Sequence, residues 1–355
     1  MKVRAVVVGI GARTSIGLDA RSTAFAHRAG AAGMTQGALL DHAGEPPTMC
    51  LLPTLDPYCV GAERAVQLGI PALVESLSGL EPLLAHLRVK QVSCLDAFMG
   101  ETREDGTRPA ADIAAALVRR GAALCPQMDD VEIVARGPAS LGFALEGVLS
   151  ALEKGGVDAV LVGGVHTDYE PRRVAALSLA GRLFSPDNLD ALIPGECAAF
   201  FVVMSPDVAR HHRLRVLAEI HSVATAFEPA RPDNDESPFK AHALTAAVRQ
   251  ATEQRAQQDV KTGWLLTDLS FELMRIHEFQ SMSSRTQKLW CEPQMCDSPA
   301  QRIGYLGAAA MPLHLVIASE AWLRGWAPHP EAISLAGSDA GERAVIAFSA
   351  PGPST

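Results

Sequence analysis

The sequence has no apolar run of membrane-spanning length, no CxxC pair among its seven cysteines and no excess of basic residues. Each absence excludes a class. Without about 20 consecutive apolar residues there is no candidate transmembrane helix. Scattered cysteines without CxxC or Cys/His spacing support neither a disulfide framework nor a zinc site, so no metal is expected. A net charge of -9 argues against nucleic acid or an anionic membrane surface as partner. The opening MKVRAVVVGIGARTSIG lacks the long apolar stretch and cleavage site of a secretory signal, so a reduced, cytoplasmic setting is the expectation.

Ample core material is present. Hydrophobic residues make up 48% of the 355 positions and charged residues only 20%, enough for one large domain or two halves and too apolar for a disordered chain. Residues Val3 to Val8 read as a strand, with Gly9, Gly11 and Gly17 around the turn after it. GIGARTSIG does not give G-x-G-x-x-G, because its third glycine comes late and no acidic residue ends a following strand. No nucleotide or other cofactor is therefore expected.

The most ordered pattern runs from Val131 to Gly164. Val131 to Val134 reads as a strand and Gly137-Pro138 as a turn. Leu141, Ala144, Leu145, Val148, Leu149 and Leu152 then recur at the spacing of a buried helix face. Gly155-Gly156 ends that helix, and DAVLVGG from Asp158 is apolar enough for a strand covered on both faces. A turn feeding a buried helix suits a nucleophile, because the helix start offers free N–H groups and a partial positive charge.

Elsewhere the spacing predicts helices over Asp19 to Arg28, Cys59 to Leu77 (interrupted at Pro71), Ala110 to Leu124, Lys240 to Gln257 and Met274 to Lys288. Strands are predicted over Val89 to Leu95, Leu214 to Ser222, Trp264 to Leu266, Ile333 to Leu335 and Ala344 to Phe348. Gly30 to Pro53 reads as loop with one short strand, and Asp96 to Thr107 and Thr225 to Glu236 as loops. GYLGAAAMPLHLVIASEAWLRG repeats the glycine turn and helix, with small residues at its start for close packing. The alternation argues for a layered α/β fold. The polar bridge Ser205 to Arg213 marks the expected boundary between halves 1–205 and 206–355.

The strand, the turn into a buried helix and G-x-x-D-A-V-L-V-G-G together resemble the β-ketoacyl-acyl-carrier-protein synthases of the thiolase superfamily. The first turn, the Pro-Gly-Glu turn at Gly195 and Glu196, and the GxxGAAA helix start are similar as well. The resemblance implies a duplicated five-layer αβαβα fold, with mixed sheets and a buried central helix in each half. It implies dimerisation and an acyl carrier protein or acyl-CoA as partner. The family's catalytic cysteine falls at Arg136-Gly137-Pro138-Ala139-Ser140, where no cysteine stands. Its two histidines fall near Asp268 to Ser270 and on Tyr305, and neither matches. A phenol, which ordinarily titrates near pH ~10, is a poor base at neutral pH.

Two functions follow. One is a catalytically degenerate ketosynthase-like subunit, paired with itself or with an active synthase. The other is an acyltransferase using Ser140 as nucleophile, with Asp268, Ser270 and Tyr305 around it. A serine nucleophile needs a base, for which His166, His277 and His314 are the candidates. Serine also favours helix N-caps, a reading in which Ser140 is structural. Glu196 reads as a turn residue and Cys197 as an inert core thiol.

Overall fold

The computed structural model describes residues 3–100, 109–126, 128, 131–231 and 238–352. The expected loop segments 101–107 and 232–236 lie outside the described residues.

Among the described residues ten strands form the main sheet. They are β1 (Ala5–Thr14), β2 (Val89–Leu95), β3 (Val131–Ala135), β4 (Ala159–Thr167) and β5 (Glu196–Met204), then β6 (Ala218–Phe227), β7 (Thr262–Thr267), β8 (Trp290–Asp297), β9 (Glu331–Gly337) and β10 (Glu342–Ser349). The first five lie in the order β3-β2-β4-β5-β1 and the second five in the order β8-β7-β9-β10-β6. Each set repeats the other with an offset of five. In both, the first strand runs antiparallel to the fifth and the fifth to the fourth, while the other two pairings are parallel. The sets meet where β1 pairs antiparallel with β6, Ala5 opposite Ile220 and Val7 opposite Ala218.

The helices used below are α1 (Ala20–Arg28), α2 (Gly61–Leu77), α3 (Pro109–Leu124), α4 (Ser140–Glu153), α5 (Pro171–Leu179), α6 (His242–Gln257), α7 (Leu273–Arg285) and α8 (Ala310–Leu323). α2 and α3 cover the outer face of the first strand set, and α6 and α7 that of the second. α4 and α8 lie between the sets and touch both. The result is the layered, duplicated α/β architecture with one buried helix per repeat. α8 is buried at every position from Ala310 to Ala321, as a helix apolar on all sides must be. Among the described residues no helix is long and apolar enough to cross a membrane.

Several sequence expectations needed correction. β1 does not stop at Val8 but continues through Gly9 and Gly11 to Thr14. These glycines make no turn. They admit α2, since a Cβ would fall 2.2 Å from the Ser76 carbonyl oxygen at Gly9 and 2.1 Å from that of Ala72 at Gly11. α2 runs unbroken through Pro71. The Gly30 to Pro53 segment holds two short strands, Met34–Gln36 and Thr48–Cys50, paired as a ribbon. The loop expected from Asp96 opens with a short helix, Ala97–Gly100. β6 starts four residues later than Leu214 and includes Thr225 to Phe227, which pair with β10 rather than looping. β8 and α5 had no sequence counterpart, and a short helix, Pro206–His211, interrupts the polar bridge.

Candidate functional site

The two repeats present matching entries to their central helices. Gly137–Ala139 makes a single tight turn before α4, and Gly307–Ala309 does the same before α8. Both opening glycines have positive φ, 62° at Gly137 and 45° at Gly307, which a side chain would strain. The turns pack against each other, and a cavity of about 400 Å³ lies at this junction. Phe98, Met99, Pro138 and Ala340 give it apolar wall, while Asp96, His166, Asp168, Arg173 and Tyr305 give it charge and hydrogen-bonding groups.

Strand register assembles the polar group. β2 and β4 are parallel with Cys94 opposite Gly164, which carries Asp96, one residue past the end of β2, alongside His166 near the end of β4. His166 Nδ1 contacts Asp96 Oδ2, and Nε2 lies 3.1 Å from Asp168 Oδ2. The second contact is an ion pair without hydrogen-bond alignment, since Nε2 lacks a partner of proper angle. Arg173 Nε donates to Asp168 Oδ1 at 2.8 Å from the first turn of α5. The Tyr305 ring stands edge-on to the imidazole, centroids 5.1 Å apart at 82°.

This arrangement fixes protonation. Burial alone would lower His166, but the carboxylates of Asp96 and Asp168 outweigh it and hold the imidazole at about 10. Burial likewise opposes ionisation of Asp168, yet His166 and Arg173 keep its carboxyl well below the usual range. Burial, then Asp339 and Asp96, push the Tyr305 phenol well above its ordinary value. At neutral pH the site therefore holds an imidazolium between two carboxylates and a neutral phenol. His166 has no free nitrogen lone pair and cannot take a proton, whereas the phenol can donate a hydrogen bond.

The four residues singled out from the sequence do not converge. Ser140 is wholly buried and is not part of the cavity wall. Its Oγ donates to the Leu95 carbonyl at 3.2 Å and accepts from the Arg136 N–H at 2.8 Å. It is the first helical residue and caps no helix N–H. Asp268 is bound by Arg275 at 3.1 Å and accepts the Gly337 N–H at 2.9 Å, inside a buried network with Glu278 and Arg343. Ser270 Oγ lies 3.3 Å from Glu272 Oε2. Only Tyr305 reaches the cavity. At the first turn, Ser338 Oγ accepts the Ala139 N–H at 3.2 Å, so that donor is occupied.

Of the candidate bases, His277 is exposed on α7 and His314 is wholly buried, with Nδ1 2.8 Å from Ser334 Oγ. Burial, reinforced by His27, pushes His314 down to about 3. Glu196 forms a buried ion pair with Arg64, whose Nη2 lies 2.9 Å from Oε1, and contacts Thr167 Oγ1 at 3.2 Å. Cys197 is buried, and burial pushes its thiol up. Sequence reasoning missed Asp96, Asp168 and Arg173. The available signal was His166-Thr167-Asp168, a polar pair at strand spacing directly after an apolar strand.

No family model matches the chain, and no curated protein matches it. Solved structures do. The oxazolomycin ketosynthase domain OzmH KS7 of Streptomyces albus JA3453 aligns over 100% of this chain and 75% of its own, with a TM-score of 0.79 at 15% identity. The ishigamide ketosynthase/chain length factor aligns over 99% of this chain and 100% of its own, with a TM-score of 0.79 at 18% identity. AntDE:AntF, a type II PKS acyl-carrier protein in complex with its ketosynthase bound to the hexaketide, gives 99%, 100% and 0.79 at 13% identity. The chain has the thiolase-like fold of these ketosynthases.

Proposed function

We propose that this ketosynthase-fold chain is a catalytically silent subunit, which pairs with a second copy of itself or with an active ketosynthase and offers its cavity to an acyl group carried on a protein or on coenzyme A. One observation carries the reading. The turn that opens onto the cavity is Gly137-Pro138-Ala139, with no nucleophilic atom, and the nearest imidazole is held protonated. Condensation requires both an acyl acceptor and a base in the correct state, and neither is present there.

The pairing has support at β3. That strand is the last in the sheet order, beside β2, and its Ile133 is 38% exposed. A strand at the end of a sheet that presents an exposed apolar residue favours contact with a second chain. The similar structures include a chain length factor and a ketosynthase held in complex with its acyl-carrier protein, which supports acyl-carrier chemistry as the context.

The test is intact mass and peptide mapping after incubation with acyl-CoA and acyl-carrier-protein thioesters, on wild type and Ser140→Ala. The expected result is no acyl group on residues 137–140 with any donor. An adduct on Ser140 that disappears in Ser140→Ala would replace this reading with a serine acyltransferase.

A further inference from the structure

A second chemical pair lies at the opposite end of the sheet. β7, β8 and β9 are mutually parallel through β7, so their starts share one end, away from the cavity that follows the end of β9. Cys291, the second residue of β8, is partly exposed, and its Sγ lies 3.3 Å from His329 Nε2.

The histidine is seated from three sides. Its Nδ1 accepts the Glu331 N–H at 3.0 Å, closer than the 3.2 Å to the Glu331 carbonyl oxygen. Its own carbonyl accepts Trp322 Nε1–H at 3.0 Å. Its ring rests on Gly263, where a Cβ would fall 2.4 Å from Cγ. With Nδ1 accepting, the ring proton sits on Nε2 and points at the sulfur. A donor aimed at sulfur stabilises thiolate over thiol. The imidazole so held acts as a hydrogen-bond donor to a thiolate and not as its base, and the thiol proton leaves to water.

The other cysteines lack this arrangement. Cys50, Cys59, Cys94, Cys125 and Cys197 are buried, and burial pushes Cys50 up to about 12. Cys296 is exposed, yet burial of its thiol and the neighbouring Asp297 push it up to about 11.

We infer that Cys291 and His329 form a nucleophilic thiol–imidazole pair, a modification site for small soft electrophiles, with peroxide as the chemical class it takes. The Cys291 thiolate attacks one peroxide oxygen. The S–O bond forms, the O–O bond breaks, and hydroxide leaves to be protonated to water. Sulfur loses two electrons to the peroxide and becomes a sulfenic acid.

Iodoacetamide labelling followed by peptide mapping tests the pair, with Cys296 as internal reference. Cys291 is expected to alkylate at least about tenfold faster than Cys296, and His329→Gln to lower the Cys291 rate about tenfold while leaving Cys296 unchanged. Hydrogen peroxide followed by dimedone is expected to tag Cys291. Equal rates in the wild type, or a Cys291 rate indifferent to His329→Gln, would overturn the inference. If His329→Gln loosens the fold, Cys94 and Cys197 become labelled too. The wild-type rate ratio and the dimedone tag then decide.

Discussion

A Cβ placed on Gly307 would fall 2.2 Å from Nδ1 of His166. The turn before α8 can therefore approach the imidazole only because that residue has no side chain, and its φ of 45° adds a second demand. Gly307→Ala is expected to destabilise the fold by about 1–3 kcal/mol through displacement and backbone strain. Urea unfolding measures it. An effect no larger than that of alanine at the unencumbered Gly147 would show that the close approach is not what keeps Gly307 small.

The same imidazole makes stability depend on alkaline pH. Its folded-state value of about 10 lies above the ordinary 6.5, so its contribution is complete below about 6.5 and falls away as pH rises toward 10. His166→Gln is expected to flatten the unfolding free energy between pH 7 and 10, a difference on the order of a few kcal/mol across that window. His314 has the opposite sign. Its value of about 3 lies below 6.5, so its contribution is present above 6.5 and diminishes as pH falls toward 3. Denaturation curves at several pH values for each single variant separate the two limbs.

Arg64 and Glu196 form an ion pair in which both side chains are almost fully buried, 2% and 0% exposed. Arg64→Met leaves the Glu196 carboxylate uncompensated and is expected to cost about 3–5 kcal/mol. Arg4, which reaches Glu146 and Glu153 near the surface, provides the contrast, and Arg4→Met is expected to cost no more than about 1 kcal/mol. Comparable losses in thermal unfolding would contradict the burial argument.

If β3 is the edge through which two chains join, Ile133→Lys places a charge within that contact. The dissociation constant read by sedimentation velocity is expected to rise at least about tenfold with the monomer fold retained. An unchanged association would move the interface elsewhere.

The central helix was legible because its pattern is local. Leu141, Ala144, Leu145, Val148, Leu149 and Leu152, read as one face from spacing alone, are all buried. β8 was not legible, since WCEPQMCD has neither alternation nor an apolar run, and its strand state depends on pairing with β7. The polar site was hidden for a related reason. Asp96 meets His166 across 70 positions through the register of β2 and β4, and no short-range pattern encodes that register. Asp268 attracted attention by alignment with a family position. Its partner Arg275 lies on the following helix, and nothing in the intervening residues announces that pairing.

The carboxylate of Asp96 lies against both glycines that open the central helices. Its Oδ1 is 3.6 Å from a Cβ built on Gly137, and Oδ2 is 2.4 Å from one on Gly307. The starts of α4 and α8 each carry a partial positive charge, and the chain sets its own anion where those fields meet. A negatively charged group entering from outside would have to displace or protonate that carboxylate. The junction is electrostatically self-satisfied, so an uncharged acyl group meets little resistance there and an oxyanion meets a seat already taken.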